Sequence, residues 1–167
     1  KGLRDRAIME LLYATGMRVS EALSLKVYDV NLDDRIVRIS GKGNKERLVP
    51  FHETAREFLY KYLTNARSKF IKNRDNGYLF LNSKGNRLSR IGFWKILKEY
   101  AITIGLENKV HPHVFRHSFA THMLMNGCDL RILQEILGHS SISTTQRYTY
   151  ISIAHLKEIH KKYHPRA

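Results

Sequence analysis

Between residues 35 and 51 the apolar residues stop recurring at helical spacing, and this interruption constrains the fold more than any other feature. Ile36, Val37 and Ile39 are interspersed with polar residues over 35–40, and the apolar run resumes at 48–51 after Gly41-Lys42-Gly43-Asn44-Lys45. That pattern predicts a β-hairpin with a glycine-rich, lysine-bearing tip. The flanking sequence reads as helix. Leu3, Ala7, Ile8, Leu11 and Leu12 fall on helical spacing until Thr15-Gly16 stops them, and a second helix is expected over 19–25. Residues 53–66 are helical in pattern, and 78–81 is expected as a short strand between the polar segments 73–77 and 82–85. Further helices are expected over 89–104, 113–126, 130–137, 141–149 and 152–163, with Gly127 and Gly138 as helix ends and Asp129 as an N-cap. The expected fold class is mixed α+β, mostly α-helical with one small antiparallel β-sheet. There is no repeat, low-complexity stretch or internal linker, so residues 1–167 form one expected domain.

The 167 residues hold 29 Lys and Arg against 15 Asp and Glu, a formal net charge of +14. A folded domain this basic repels itself unless a polyanion is near, and nucleic acid is the usual one. A solubility device or an acidic membrane surface are the other readings of such a surplus. No run of eighteen apolar residues exists to span a bilayer, so no membrane partner is expected. Cys128 stands alone, which rules out an intrachain disulfide and suits a reducing, cytoplasmic compartment. The chain opens at Lys1 and runs directly into a helical pattern, as expected of a fragment cut at a domain boundary.

Three segments carry residues that a core does not need. Thr15 to Glu21 is a turn opening a helix, with Arg18 in its first turn; an exposed pair of Arg18 with Glu21 is its purely structural reading. His111-Pro112-His113-Val114-Phe115-Arg116-His117 opens another helix and puts His113 and Arg116 three apart on one face, a ready anion site. A metal reading competes there, because His111, His113, His117 and His122 cluster in sequence. Against it, no HExxH is present, Cys128 lacks a partner thiol, and His117 and His122 splay around a helix. The third segment places His139 at a glycine turn and Tyr148 nine residues later, so both can converge across a short helix. Its bland alternative makes Tyr148 and Tyr150 ordinary half-buried aromatics.

Together these segments resemble the tyrosine recombinase (integrase) family, and within it the Xer type. The resemblance rests on TGMRVSEALSL from Thr15, GKGNKERLVPF from Gly41, HPHVFRHSFATH from His111 and LGHSSISTTQRY from Leu137, in the family's order and spacing. The ending His164-Pro165-Arg166-Ala167 is similar too. The likeness implies the tyrosine recombinase catalytic-domain fold, with Arg18 and Arg116 as phosphate clamps and Lys42 as the hairpin lysine. His113 and His139 become further phosphate-site groups, Tyr148 the nucleophile, and Glu21 the carboxylate supporting Arg18. Tyr150 stands where many Xer relatives have histidine, and Lys45 shares the hairpin turn with Lys42. The resemblance also implies an N-terminal DNA-binding domain outside this chain and a double-stranded DNA recombination site as substrate. Identical or related protomers would form a tetramer on that DNA, with a DNA translocase as regulator, at a cytoplasmic, nucleoid-associated location. No cofactor and no metal are implied. The tail, 152–167, carries Ile153, Leu156, Ile159 and Tyr163 on one stripe and is expected to dock on a protomer.

These residue types suit phosphoryl transfer. A phosphodiester repels nucleophiles, and its pentacoordinate transition state carries still more negative charge. Arginine offers paired N–H donors to the non-bridging oxygens and keeps its charge at any working pH. Tyrosine, with a reference pKa of about 10, needs nearby cations and a base such as His113 to become phenolate. Lys42 can protonate the departing 5′-oxygen. The rival readings are a mobile-element or phage integrase, DNA relaxation of the type IB topoisomerase kind, and a non-catalytic basic DNA-binding module. A metal-dependent nuclease would want a carboxylate cluster that the sequence does not offer.

Overall fold

The computed structural model describes residues 1–41, 46–111, 113–138 and 152–166. Helix α1 (Gly2–Thr15) is the axis of the fold, packed between α3 (Glu53–Asn65) and α5 (Val114–Met125). Ala7, Ile8, Leu11, Leu12 and Ala14 are buried on it, and so are Arg4, Asp5 and Glu10. A helix enclosed on so many sides must pair its charges. Arg4 donates to Asp5 Oδ1 at 2.7 Å and to Leu81 O at 2.9 Å, while Glu10 accepts from Arg166 Nη1 at 2.7 and 2.6 Å.

Gly16 ends α1 with φ 61°. A Cβ at this position would lie 2.4 Å from Phe119 Cδ1 and 2.7 Å from Leu137 Cδ2. Glycine alone therefore lets the end of α1 meet α5 and α6 (Leu130–Leu137) at one point. The short helix α2 (Val19–Ser24) starts directly after this junction.

The expected hairpin is present as the ladder between β2 (Ile36–Ser40) and β3 (Glu46–Pro50), with Val37 opposite Val49 and Ile39 opposite Arg47. Its tip, with Lys42 and Lys45, lies outside the described residues. A third antiparallel strand, β1 (Val30–Asn31), borders β2 and makes the sheet order β1-β2-β3. Two residues are too few to show a period, so β1 was not expected.

The strand expected over 78–81 needs correction. That run makes only isolated bridges, Lys26 with Tyr78 and Leu81 with Arg87. Leu79, Phe80 and Leu81 are buried, but their backbone partners are scattered: Leu79 N–H donates to Leu25 O at 2.8 Å, and Leu79 O accepts from Tyr62 Oη at 3.0 Å. An apolar run of four marks burial without requiring a sheet.

Helix α4 (Arg90–Thr103) is capped by Ser89, whose Oγ accepts from Gly92 N–H at 3.0 Å. Asp129 caps α6 as expected, accepting from Arg131 and Ile132 N–H, and Gly138 closes it at φ 67°. The helix expected over 141–149 lies outside the described residues.

Helix α7 (Ile153–Tyr163) packs on β3 and α5 of its own chain. Ile159 of the expected stripe is buried, but Ile153 is 37% exposed. Histidines do more of the sealing. His160 and His164 stack with ring centroids 4.7 Å apart, and His52 lies 4.8 Å from His164. His160 and His164 Nε2 bond Ala14 O at 2.7 Å and Tyr13 O at 3.2 Å. Burial, the leading cause for each, pushes all three imidazoles down to about 4, so they are neutral near pH 7. Among the described residues no helix is long and apolar enough to cross a membrane.

Candidate active site

Arg116 projects from the first turn of α5 into the junction of α1, α5 and α6. Its Nη1 donates to Gly16 O at 2.9 Å and its Nη2 to Leu137 O at 3.0 Å. Two carbonyls from segments far apart in sequence thus fix the plane of one guanidinium. Burial, followed by the positive charges of Arg18 and Arg47, pushes its pKa down to about 10, against the opposing pull of Glu21. The group remains cationic at neutral pH, in a local field that favours an anion.

Arg18 is the residue just before α2 and its side chain is 46% exposed. Glu21, one turn on, accepts from the Arg18 N–H at 2.7 Å and from Arg18 Nη1 at 3.3 Å. The expected Arg18–Glu21 pair therefore exists, but Glu21 is 8% exposed and is bound chiefly by another residue. Arg47 of β3 grips it fork to fork, Nη1 to Oε1 at 3.1 Å and Nη2 to Oε2 at 3.0 Å, and adds a bond from Nε to Ile136 O at 3.1 Å. Burial raises the Glu21 pKa, but the bonds from Arg47 and the Arg18 N–H, with both guanidinium charges, outweigh it and hold the carboxyl ionised.

Sequence reasoning missed Arg47, although a signal existed. Strand alternation puts residue 47 on the same face as the buried Val49, and a charge facing inward requires a partner.

His113 is the residue preceding α5 and is exposed. It joins Arg18 in lining a groove of about 770 Å³ that runs past Ser20, Arg87, Arg90 and Trp94. The structure thus brings Arg18, Glu21, Arg116 and His113 to one region. Lys42, His139 and Tyr148 lie outside the described residues, although Gly138, at the end of α6, immediately precedes His139 in sequence. Of the histidines that suggested a metal, His122 Nδ1 bonds Tyr13 Oη at 2.8 Å. Among the described residues no group of three or more His, Cys, Asp or Glu can hold a metal ion.

Guanidinium groups outnumber carboxylates at this helix junction, beside a basic groove and a small hairpin sheet. The fold around it is that of the tyrosine recombinase catalytic domains. The model of the phage integrase family matches residues 1–155, and the chain belongs to that family. A tyrosine recombinase XerD of Oceanobacillus iheyensis is 53% identical over 167 residues, covering 99% of this chain and 56% of the relative. The corresponding XerD of Staphylococcus haemolyticus is 49% identical over 166 residues, again 99% of this chain and 56% of the relative. The chain thus spans a little over half the length of these curated relatives. A crystal structure of XerA recombinase superposes with a TM-score of 0.75 at 38% identity, covering 99% of this chain and 60% of that one. XerH recombinase bound to its difH substrate before cleavage gives 0.71 at 34% identity, covering 83% of this chain and 40% of that one.

Proposed function

We propose that this chain is the catalytic domain of an Xer-type site-specific tyrosine recombinase, which cleaves and rejoins DNA through a 3′-phosphotyrosyl intermediate on Tyr148. The observation that carries the reading is the cationic junction, where Arg18 and Arg116 flank an ionised, buried carboxylate at the edge of an open basic groove. The names of the relatives, and the DNA bound in the XerH structure, support DNA as the substrate.

In the proposed reaction Arg18 and Arg116 hold the non-bridging oxygens and His139 adds a donor. His113 takes the Tyr148 proton, and the phenolate oxygen attacks phosphorus. The bond to the 5′-oxygen breaks as Lys42 protonates it. Reversal by a 5′-hydroxyl reseals the strand, and the ester conserves the bond energy, so the cycle consumes no nucleotide. Glu21 orients Arg18. The substrate is a double-stranded recombination site, bound with an N-terminal domain by a tetramer of identical or related protomers. A DNA translocase is the proposed regulator, at the nucleoid in the cytoplasm, and α7 exchanges its place on its own chain for one on a neighbouring protomer.

The test is covalent capture on a nicked suicide duplex, read on a denaturing gel. Tyr148→Phe abolishes the adduct and keeps DNA binding, whereas Tyr150→Phe keeps the adduct. An adduct with Tyr148→Phe overturns the assignment.

A further inference from the structure

Arg47 belongs to none of the proposed chemical steps, yet it ties together three elements around the site. Its side chain is 17% exposed and its guanidinium joins β3 to α2 through Glu21 and to α6 through Ile136 O. It also fills the space beside Gly138, where a Cβ would meet the guanidinium carbon at 3.1 Å. We propose that Arg47 is a positioning residue for Arg18: by neutralising Glu21 it keeps the Arg18 guanidinium available to the scissile phosphate. This rests on the reading of Arg18 as a phosphate clamp.

The argument is one of competition for a single carboxylate. Both Glu21 oxygens already accept from Arg47, and the Arg18 side chain makes one longer contact, Nη1 to Oε1 at 3.3 Å. The Arg18 side chain is half exposed and lines the groove. A carboxylate 8% exposed cannot stand without a partner. If Arg47 is removed, the remaining cation bonded to Glu21 is Arg18, whose planar fork fits the carboxylate as well as it fits a phosphate. Arg18 then closes over Glu21, and the donors meant for the transition state are occupied. Arg47 thus has a role that its tie to Ile136 O, a clamp of strand to helix, would not confer.

The experiment is single-turnover cleavage of the suicide duplex at saturating protein, with DNA affinity measured separately. Removal of a preorganised donor costs on the order of a hundred- to a thousand-fold, so Arg18→Ala sets that scale. Arg47→Ala is expected to slow cleavage by about tenfold or more while DNA affinity holds within roughly threefold. Adding Glu21→Gln to Arg47→Ala removes the competitor and restores about tenfold of the loss, because the two residues act through one contact. A duplex with a neutral methylphosphonate at the scissile position needs no arginine charge, so Arg47→Ala and the unmodified protein should cleave it alike.

A double variant no faster than Arg47→Ala, or an equal defect on both duplexes, overturns the proposal in favour of a clamp. Cleavage by Arg47→Ala at the unmodified rate overturns it as well. If Arg18→Ala itself cleaves normally, the reading of the site fails instead. Should Arg47→Ala melt below the assay temperature, Arg47→Lys decides. It keeps the charge beside Glu21 and loses the bond to Ile136 O, so positioning retains most of the rate and a clamp loses it.

Discussion

A guanidinium is useful to a phosphate only where its plane is set, and Arg116 has its plane set by the Gly16 and Leu137 carbonyls. Those bonds occupy one donor of each terminal nitrogen and leave the group's charge in a field made more positive by Arg18 and Arg47. The proposed leaving-group acid, Lys42, differs in kind: it supplies a proton, and the arginines supply charge. A duplex with sulfur in the 5′-bridging position has a leaving group that needs no proton. Lys42→Ala should therefore cleave that duplex far better than the ordinary one, while Arg116→Ala, which still lacks its clamp, should not recover. Equal defects of Lys42→Ala on both duplexes would move the acid role to Lys45.

At the scale of elements, the site depends on how closely the ends of α1 and α6 approach the side of α5. Gly16 is the contact point, and Gly16→Ala would put a methyl into Phe119 and Leu137 at a residue whose φ is 61°. Overpacking together with left-handed backbone strain is expected to cost about 3 kcal/mol, measurable by urea denaturation. The same change displaces the Gly16 carbonyl, so cleavage should fall further than stability alone explains.

The seam between α7 and the body is titratable. His160 and His164 on the tail side meet His52 before α3, with Tyr13, Glu10, His122 and Arg166 around them. The three imidazoles are held near 4 while docked and return toward about 6.5 when released. A base whose folded pKa is depressed stabilises the docked state fully above its free value. That stabilisation falls as the pH drops through about 6.5 and is gone near 4. Amide exchange of α7 should accelerate over this window ahead of exchange in α1. Equal loss of protection in both helices would show the histidines to be incidental.

For the whole molecule, a net charge of +14 predicts that the proposed DNA binding releases counterions and falls steeply with salt. Chemistry and assembly are separable on that background. Leu156 and Ile159 lie on the tail's apolar stripe, and Ile159 is buried against the body here. If α7 exchanges between protomers, replacing both with Ser should reduce synapsis and strand exchange much more than binding of DNA by one protomer. Unchanged recombination by the double variant would make the stripe local packing only. The cationic junction itself should survive this change, since Arg18, Glu21 and Arg47 are bonded to one another and to Ile136, away from α7.

Much of the fold was legible because its signals are local. The hairpin ladder, the glycine ends of α1 and α6, and the Asp129 cap follow from period and from capping residues within a few positions. Arg18, Glu21, His113 and Arg116 were legible as candidates because they cluster at helix starts in recognisable segments. The run at 78–81 was misread as a strand because four apolar residues report burial and nothing about their backbone partners. The Arg47–Glu21 fork spans 26 positions, and the Arg116 bond to Gly16 spans 100. The seam bond from His160 to Ala14 spans 146. The sequence by itself determined most of the helices, the hairpin, and the residues proposed to meet a phosphate. Only the tertiary structure decided which charge answers which, because ion pairing depends on distance and burial in space, and neither is a function of separation along the chain.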